Sequence, residues 1–354
     1  MHVAIVGGGI NGLCCAWKVA QRGHKVTLFE KGRLMQATSS ASSKLLHGGL
    51  RYLETGEIRL VREALRERDN WLARTPHLAN PLPILFPVFS NSRRPRWLVG
   101  LGLAIYDLLA GTTSLPKSRW LPVREVLQIA PSLKGGRLKG AYLYHDGQMD
   151  DREIGMWVAR RCRDSGVDLQ ENRPVEQVST TGIVQFADSQ TAEFDRVINV
   201  AGPWSGLLLG RSDIPSAHTL DPVRGSHLIV NRHCDHALIL EVPDDNRIFF
   251  MLPWKQRTLI GTTEVRQSLD EPIECSKDEI AYLIRASNHY LAQPLQQSEI
   301  HSTFAGVRPL VDAGRNLSRA SREYAIQVDG KLLTVFGGKW TTAMALANRV
   351  SNYI

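Results

Sequence analysis

The 354 residues carry 43 Lys+Arg against 35 Asp+Glu, a formal net charge of +8, and their 43 % hydrophobic and 22 % charged fractions are those of a soluble globular chain long enough for two intertwined domains. The five cysteines, Cys14, Cys15, Cys162, Cys234 and Cys275, are scattered and form no C-x-x-C pair, which argues against a zinc site or a disulfide framework and fits a reducing compartment. Residues 1–177 hold 26 Lys+Arg and 16 Asp+Glu, a net of +10, and the remainder 17 and 19, a net of −2; the basic half points to an anionic partner (substrate phosphate, membrane lipid or nucleic acid) or to a generally basic solvated surface.

The chain opens on a short apolar run, His2–Val6, that reads as a strand buried on both faces. With this strand so early, no signal peptide is expected. Gly7-Gly8-Gly9-Ile10-Asn11-Gly12 fits G-x-G-x-x-G, and a helix with Leu13, Ala16, Trp17 and Ala20 at helical spacing follows, closing at Gly23. A second strand, Lys25–Phe29, delivers Glu30 to its C-terminal end. Each part suits a dinucleotide. Gly7 allows the tight turn, Gly9 lets a pyrophosphate approach the backbone, and Gly12 lets helix and strand pack closely. The helix N-terminus offers free N–H groups and a positive dipole end to phosphates. Glu30 can accept hydrogen bonds from both ribose hydroxyls and would repel a 2′-phosphate, which disfavours NADP. A glycine-rich surface turn would leave Glu30 unexplained.

Thr38–Leu53 is rich in hydroxyl residues, with Lys44, His47, Gly48 and Gly49; it suits wrapping around a polar cofactor, and its leucines argue for a packed segment rather than a linker. Ile58–Leu72 is a charged helix with Ile58, Val61 and Leu65 on one face and its arginines and glutamates expected in solvent, ended by Pro76. Leu82–Phe89 reads as a strand. Arg93-Arg-Pro-Arg96 precedes the apolar run Trp97–Gly111, too short to span a bilayer. That run fits either a buried helix or a helix lying on a membrane with the arginines at the headgroups. Gly140–Met149 is a strand, Asp150 a helix N-cap, and Val167–Val178, Gly182–Phe186 and Thr191–Asp195 a small β-meander. A buried strand from Arg196 ends at Ala201-Gly202, where a bulkier side chain would crowd a ligand in the crevice. His218–Asn231, Ala237–Val242, Ile248–Pro253 and Thr258–Glu264 suggest an antiparallel sheet, and Ser276–Leu291 a helix. Lys331–Phe336 enters Gly337-Gly-Lys-Trp-Thr-Thr342 and a helix from about Thr341, a second strand–glycine turn–helix unit able to stabilise negative charge. There is no internal repeat and no low-complexity segment.

These pieces, in this order, resemble the FAD-dependent glycerol-3-phosphate dehydrogenases, within the D-amino-acid-oxidase-like flavoproteins. The resemblance rests on Val6–Gly12, Thr38–Lys44 with His47-Gly-Gly-Leu-Arg-Tyr-Leu53, Ala201-Gly-Pro-Trp204, Gly225-Ser-His227, Ile260-Gly-Thr-Thr263, Gly306-Val-Arg-Pro-Leu310, Ser321-Arg-Glu-Tyr324 and Phe336-Gly-Gly-Lys339 with Thr341-Thr342. Two departures stand out. Arg224 replaces the family's usual lysine, and the sequence ends at Ile354, where family members often continue into a helical domain. The implied fold is α/β (α+β): a Rossmann-like FAD-binding domain of residues 1–80, 145–215 and 300–354, interleaved with an antiparallel-sheet substrate domain of residues 81–144 and 216–299.

The resemblance implies that FAD is held by Gly7, Gly9, Asn11, Gly12 and Glu30, by Thr38, Ser39, Ser40, Ser43, Lys44, His47 and Gly48, and by Val175, Ala201, Gly202, Gly338, Lys339 and Thr341. A phosphorylated substrate needs cations, arginine as a planar fork and lysine as a point charge. The resemblance gathers them here: Arg51 and Arg322 for the phosphate, with Tyr52, and Arg308 and Lys339 nearer the reacting end with His227. The expected reaction is oxidation of a secondary alcohol, with hydride going to flavin N5 and the hydroxyl proton to a base, for which His227 is a candidate. Electrons then pass to a membrane quinone, as in the dehydrogenases, or to oxygen, as in related oxidases. The expected location is the cytoplasm, or a peripheral seat on the cytoplasmic membrane face. An oxidase or dehydrogenase of another hydroxy or amino acid with the same fold is the alternative. A nucleic-acid partner is not expected, because the basic residues mix with glutamates along helices instead of interleaving with exposed aromatics.

Overall fold

The structure, a computed structural model, describes residues 1–243, 245, 247–312 and 323–354. Its organising strand is His2–Val6. Val3 and Ile5 point into one apolar layer and Ala4 and Val6 into another, which is why the run reads as continuously hydrophobic. The strand pairs in parallel with Lys25–Phe29 on one side and Arg196–Asn199 on the other. The full six-stranded order is Ala325–Asp329, Leu332–Phe336, Arg196–Asn199, His2–Val6, Lys25–Phe29, Asp168–Gln170, with only the first strand antiparallel. Helices Ile10–Gln21, Asp151–Asp164 and Ala343–Val350 cover one face through Leu13, Ala16, Val158, Cys162, Leu346 and Ala347. Helix Ser205–Arg211 and a three-stranded antiparallel sheet, Val175–Val178, Ile183–Phe186 and Thr191–Glu193, cover the other through Val178, Val184, Phe186 and Leu208. The expected meander therefore begins later. Val167 is buried in the helical layer, and Asp168–Gln170 runs on into the edge of the main sheet.

Local signals hold at the termini of these elements. Gly23 has φ +85° and its N–H donates to the Ala20 carbonyl at 2.9 Å, a helix end in which glycine carries no steric cost. Asp150 caps Asp151–Asp164 by accepting from the Glu153 N–H.

The second sheet has ten strands. Its main path is Val265–Arg266, Leu220–Val230, Arg257–Gly261, Ile248–Trp254, Ala237–Glu241, Ala79–Phe89, Leu138–Met149, Leu45–Leu46; Ile300–Val311 and Arg119–Leu121 pair beside it. Ala79–Phe89 carries Pro81, Pro83 and Pro87, all of one parity, so their missing N–H groups fall on one side. Pairing with Ala237–Glu241 is correspondingly short, at Ile84 and Leu85, whereas pairing with Leu138–Met149 runs the whole length.

Two pairings tie segments assigned by sequence to FAD binding into this sheet, and one expectation changes. Ile300–Val311, grouped by sequence with the FAD-binding segments, pairs along Leu220–Val230 in this sheet. Leu45–Leu46 likewise pairs with Gln148 and Gly147. The helix Ile58–Arg74 does not place all its charges in solvent: Glu67 and Arg68 are buried, and Arg68 Nη1 lies 3.0 Å from Asp146 Oδ1. Burial of the pair tolerates no loss of one partner, which would cost about 3–5 kcal/mol.

Candidate active site

The glycine turn is built as its spacing predicts. Gly7 has φ +114°, and a Cβ there would lie 2.5 Å from the Val200 carbonyl oxygen; one on Gly12 would lie 1.9 Å from the Gly7 carbonyl oxygen. Glu30 braces the turn, its Oε2 accepting from the Gly8 N–H at 2.6 Å and its Oε1 from the Gly32 N–H at 2.9 Å. Each oxygen retains a second lone pair that a ribose hydroxyl can use. The Thr38–Ser40 turn folds over the start of helix Ile10–Gln21: Ser39 Oγ accepts from the Ile10 N–H at 3.0 Å, and Thr38 Oγ1 donates to the Val307 carbonyl at 2.8 Å, joining the two sheets.

Between the sheets lies a cavity of about 580 Å³. Its wall contains Gly7, Gly9, Asn11, Glu30, Thr38, Ser39, Ser43, His47, Val175, Ala201, Gly202, Gly338, Lys339 and Thr341, and also Arg51, Tyr52, His227 and Arg308. Four expected cofactor residues sit behind that wall. Gly12 packs on the Gly7 backbone, and Gly48 packs on Leu65 and Tyr106. The Ser40 hydroxyl donates to the Met35 carbonyl. Lys44 Nζ is 2.7 Å from Asp151 Oδ1 and donates to the Ser40 carbonyl at 2.8 Å, a buried pair that shapes the loop from beneath. Arg322 lies outside the described residues. The wall also includes residues that no sequence signal marked, among them Lys31, Phe250, Glu264 and Trp340. Lys31 Nζ stands 3.6 Å from the Trp204 ring centroid, and Trp340 Nε1 donates to the Ser39 carbonyl at 3.0 Å.

These residues fit FAD. Gly7, Gly9, Gly202, Gly337 and Gly338 line the cavity with backbone alone, and Asn11 Oδ1 is buried without a hydrogen-bond partner among the described residues, as expected of an acceptor that serves a ligand.

Where the cations gather, each is held by a neighbour. Arg308 Nη2 donates to Thr262 Oγ1 at 2.8 Å, and a Cβ on Gly225 would lie 2.4 Å from that nitrogen, so the glycine makes room for the guanidinium. Lys339 Nζ donates to the carbonyls of His47 at 2.9 Å and Gly48 at 3.1 Å. Arg51 Nη2 is 3.6 Å from Glu264 Oε1. His227 is 1 % exposed and stacks on Phe304 with ring centroids 4.7 Å apart; its Nε2 is 2.8 Å from Ser43 Oγ. Burial, followed by the charges of Arg308 and Lys44, pushes its pKa well below the usual range, so the ring is neutral at neutral pH. The strand bearing His227 is tied to helix Lys277–Tyr290 by Glu279. That carboxylate accepts from Ser226 Oγ at 2.8 Å and pairs with Arg224 at 2.9 Å, which gives the departing arginine a defined place.

The FAD dependent oxidoreductase (DAO) family matches residues 2–352. The D-erythritol 1-phosphate dehydrogenase of Brucella abortus (strain 2308) is 38 % identical over 362 residues, covering 98 % of this chain and 72 % of that protein. The glycerol-3-phosphate dehydrogenase of Pseudomonas aeruginosa is 37 % identical over 365 residues, covering 98 % and 70 %. Among solved structures, the dithionite reduced L-alpha-glycerophosphate oxidase of Mycoplasma pneumoniae with FAD bound superposes with a TM-score of 0.81 at 20 % identity, covering 100 % of this chain and 95 % of that one, a likeness of fold. The chain therefore belongs to the FAD dependent oxidoreductase (DAO) family, as an oxidoreductase of the glycerol-3-phosphate dehydrogenase type with FAD as its cofactor.

Proposed function

We propose that the protein oxidises the secondary hydroxyl of sn-glycerol 3-phosphate, giving dihydroxyacetone phosphate. The observation that carries this reading is the gathering of Arg51, Arg308 and Lys339 in the wall of the cavity that the glycine turn and Glu30 also line. A phosphate dianion offers these cations charge-assisted contacts that a neutral polyol does not. Arg51 holds the phosphate, with Tyr52 beside it and Arg322 assigned to the same task from sequence. FAD, when bound, supplies the acceptor for hydride. Arg308 and Lys339 orient the carbinol end, and His227, neutral and buried, takes the hydroxyl proton. A base of such low pKa accepts that proton readily only as charge leaves the carbon. The FAD-binding unit is assigned residues 1–80, 145–215 and 300–354 and the substrate unit residues 81–144 and 216–299, with Leu45–Leu46 and Ile300–Val311 the strands by which the first reaches into the second sheet.

We assign the electrons to a quinone at a membrane surface. Support comes from helix Arg96–Ala110, which exposes Trp97, Leu101, Ala104 and Leu108 along one stripe while burying Val99, Leu103 and Tyr106. The basic segment before it contributes less than its sequence promised. Arg94 is bound by Glu54 at 2.5 Å and Glu241 at 2.7 Å, and the Arg96 guanidinium lies 4.1 Å from the Trp120 ring. No helix of the described residues is long and apolar enough to cross a membrane.

A second reading, oxidation of a four-carbon polyol phosphate, is supported by the 38 % identical D-erythritol 1-phosphate dehydrogenase. The test is anaerobic flavin reduction by glycerol 3-phosphate, D-erythritol 1-phosphate, glycerol and a 2-hydroxy acid. Preferential reduction by glycerol 3-phosphate supports the first reading, and preference for the four-carbon phosphate supports the second. Indifference to the phosphate overturns both.

A further inference from the structure

Beside Lys339 a buried polar chain runs back from the cavity wall, to which Asp146 contributes, and the reaction proposed above uses none of its members. Arg68, on helix Ile58–Arg74, donates from Nη1 to Asp146 Oδ1 at 3.0 Å and to the His145 carbonyl at 3.3 Å. The Tyr106 hydroxyl donates to Asp146 at 2.8 Å and accepts from the Gly48 N–H at 2.8 Å. Gly48 and His47 in turn offer their carbonyls to Lys339 Nζ. Arg68, Asp146 and Tyr106 are each 2 % exposed or less. The loop between them and Lys339 has no slack. A Cβ on Gly48 would lie 2.7 Å from Leu65 and 2.8 Å from the Tyr106 ring, and one on Gly49 would lie 2.3 Å from the Tyr52 ring.

A buried carboxylate held by an arginine and a phenol is costly to assemble, and apolar residues of similar shape would stabilise such a site at least as well. Its orientation is what such residues would lack. The Tyr106 oxygen has one proton, committed to Asp146, so it presents a lone pair to Gly48, and that fixes the plane of the peptide bearing one of the two Lys339 acceptors. We infer that Arg68, Asp146 and Tyr106 are positioning residues that set the 47–49 loop and, through its carbonyls, the place of the Lys339 ammonium against FAD and substrate. The inference rests on the role proposed for Lys339.

The test compares Tyr106→Phe, Arg68→Met and Arg68→Lys with Val61→Ala, a cavity-forming change in the same apolar cluster as Tyr106 that removes no polar atom of the chain. Three quantities are read per bound flavin: the rate of anaerobic flavin reduction at saturating glycerol 3-phosphate, the dissociation constant of the apoprotein for FAD, and the visible circular dichroism of bound FAD. Misplacing a reacting group by about 1 Å can cost on the order of a hundredfold. Tyr106→Phe and Arg68→Met are therefore expected to slow reduction roughly tenfold to a hundredfold and to alter the flavin circular dichroism. Arg68→Lys, the variant most certain to fold, should recover part of both. Val61→Ala should lower Tm and leave all three readouts alone. If the chain variants behave as Val61→Ala does, differing from wild type only in Tm, the inference is overturned. A wild type not reduced by glycerol 3-phosphate would instead overturn the proposed substrate, and FAD affinity and circular dichroism would still decide whether the chain sets the loop.

Discussion

His227 stacks on Phe304 in an environment that opposes its charge, buried and flanked by Arg308 and Lys44. Its folded pKa lies below the unfolded value of about 6.5. Below that pH the unfolded chain binds a proton that the folded chain does not, so stability falls as pH falls. This one site should cost up to about 1.4 kcal/mol between pH 7.5 and 5.5, the limit for a ring that stays neutral in the fold. Urea unfolding of wild type and His227→Asn at both pH values measures it. An equal pH dependence in the two proteins would mean that the histidine is not held neutral. Arg51 tests the other end of the site. Loss of one charged contact to a buried ligand costs roughly 2–5 kcal/mol, or about 30-fold to several thousand-fold in kcat/KM. Arg51→Ala should lower that ratio for glycerol 3-phosphate and much less for glycerol, and Arg51→Lys should recover only part, since the fork is lost. Equal fractional losses on both substrates would assign Arg51 to the flavin or the fold.

At the scale of the element, the strand–turn–helix unit from His2 to Gln21 depends on a carboxylate from the next strand. Glu30→Ala removes acceptors from Gly8 and Gly32, and with them the acceptors proposed for the ribose. Charge-assisted hydrogen bonds contribute about 1.5–3 kcal/mol, so the dissociation constant of the apoprotein for FAD should rise by roughly ten- to a hundredfold. Fluorescence titration checks this, and an unchanged constant would remove Glu30 from the cofactor site. Helix Arg96–Ala110 gives the element-scale test of membrane contact. Its exposed residues form the stripe, and its leading arginines are largely engaged within the protein. Co-sedimentation with anionic vesicles should therefore fall more for Trp97→Ser with Leu101→Ser than for Arg94→Gln. The reverse order would restore the electrostatic reading.

Across the whole molecule, the cavity proposed for FAD is walled by both sheets, so FAD bound there would favour the folded state and link its two halves. Added FAD should raise Tm by mass action, with about 2.7 kcal/mol gained at a concentration one hundred times the dissociation constant. The purified protein should be yellow and should release its flavin to the supernatant on acid precipitation, since no cysteine or histidine is proposed to bond it. Flavin retained in the pellet would contradict this.

What could be read from the chain alone was local. The order Gly7, Gly9, Gly12 and Glu30 lies within one strand–helix–strand unit, so spacing alone brings those residues together. The same holds for Gly337–Thr342 after its strand, and for the Asp150 cap. Arg51, His227, Arg308 and Lys339 entered by resemblance, since no spacing along the chain could bring them together. Pairing across sheets decided the rest. Ile300–Val311 carries only a weak alternation and became legible as a strand only beside Leu220–Val230, whose partner residues complete its hydrogen bonds. Arg68 looks like any surface charge on an amphipathic helix until Asp146 and Tyr106 arrive from elements far along the chain, and Lys44 looks like a cofactor ligand until Asp151 meets it. A buried charge is tolerated only beside its partner, and which partner it has is a property of tertiary packing, not of sequence position.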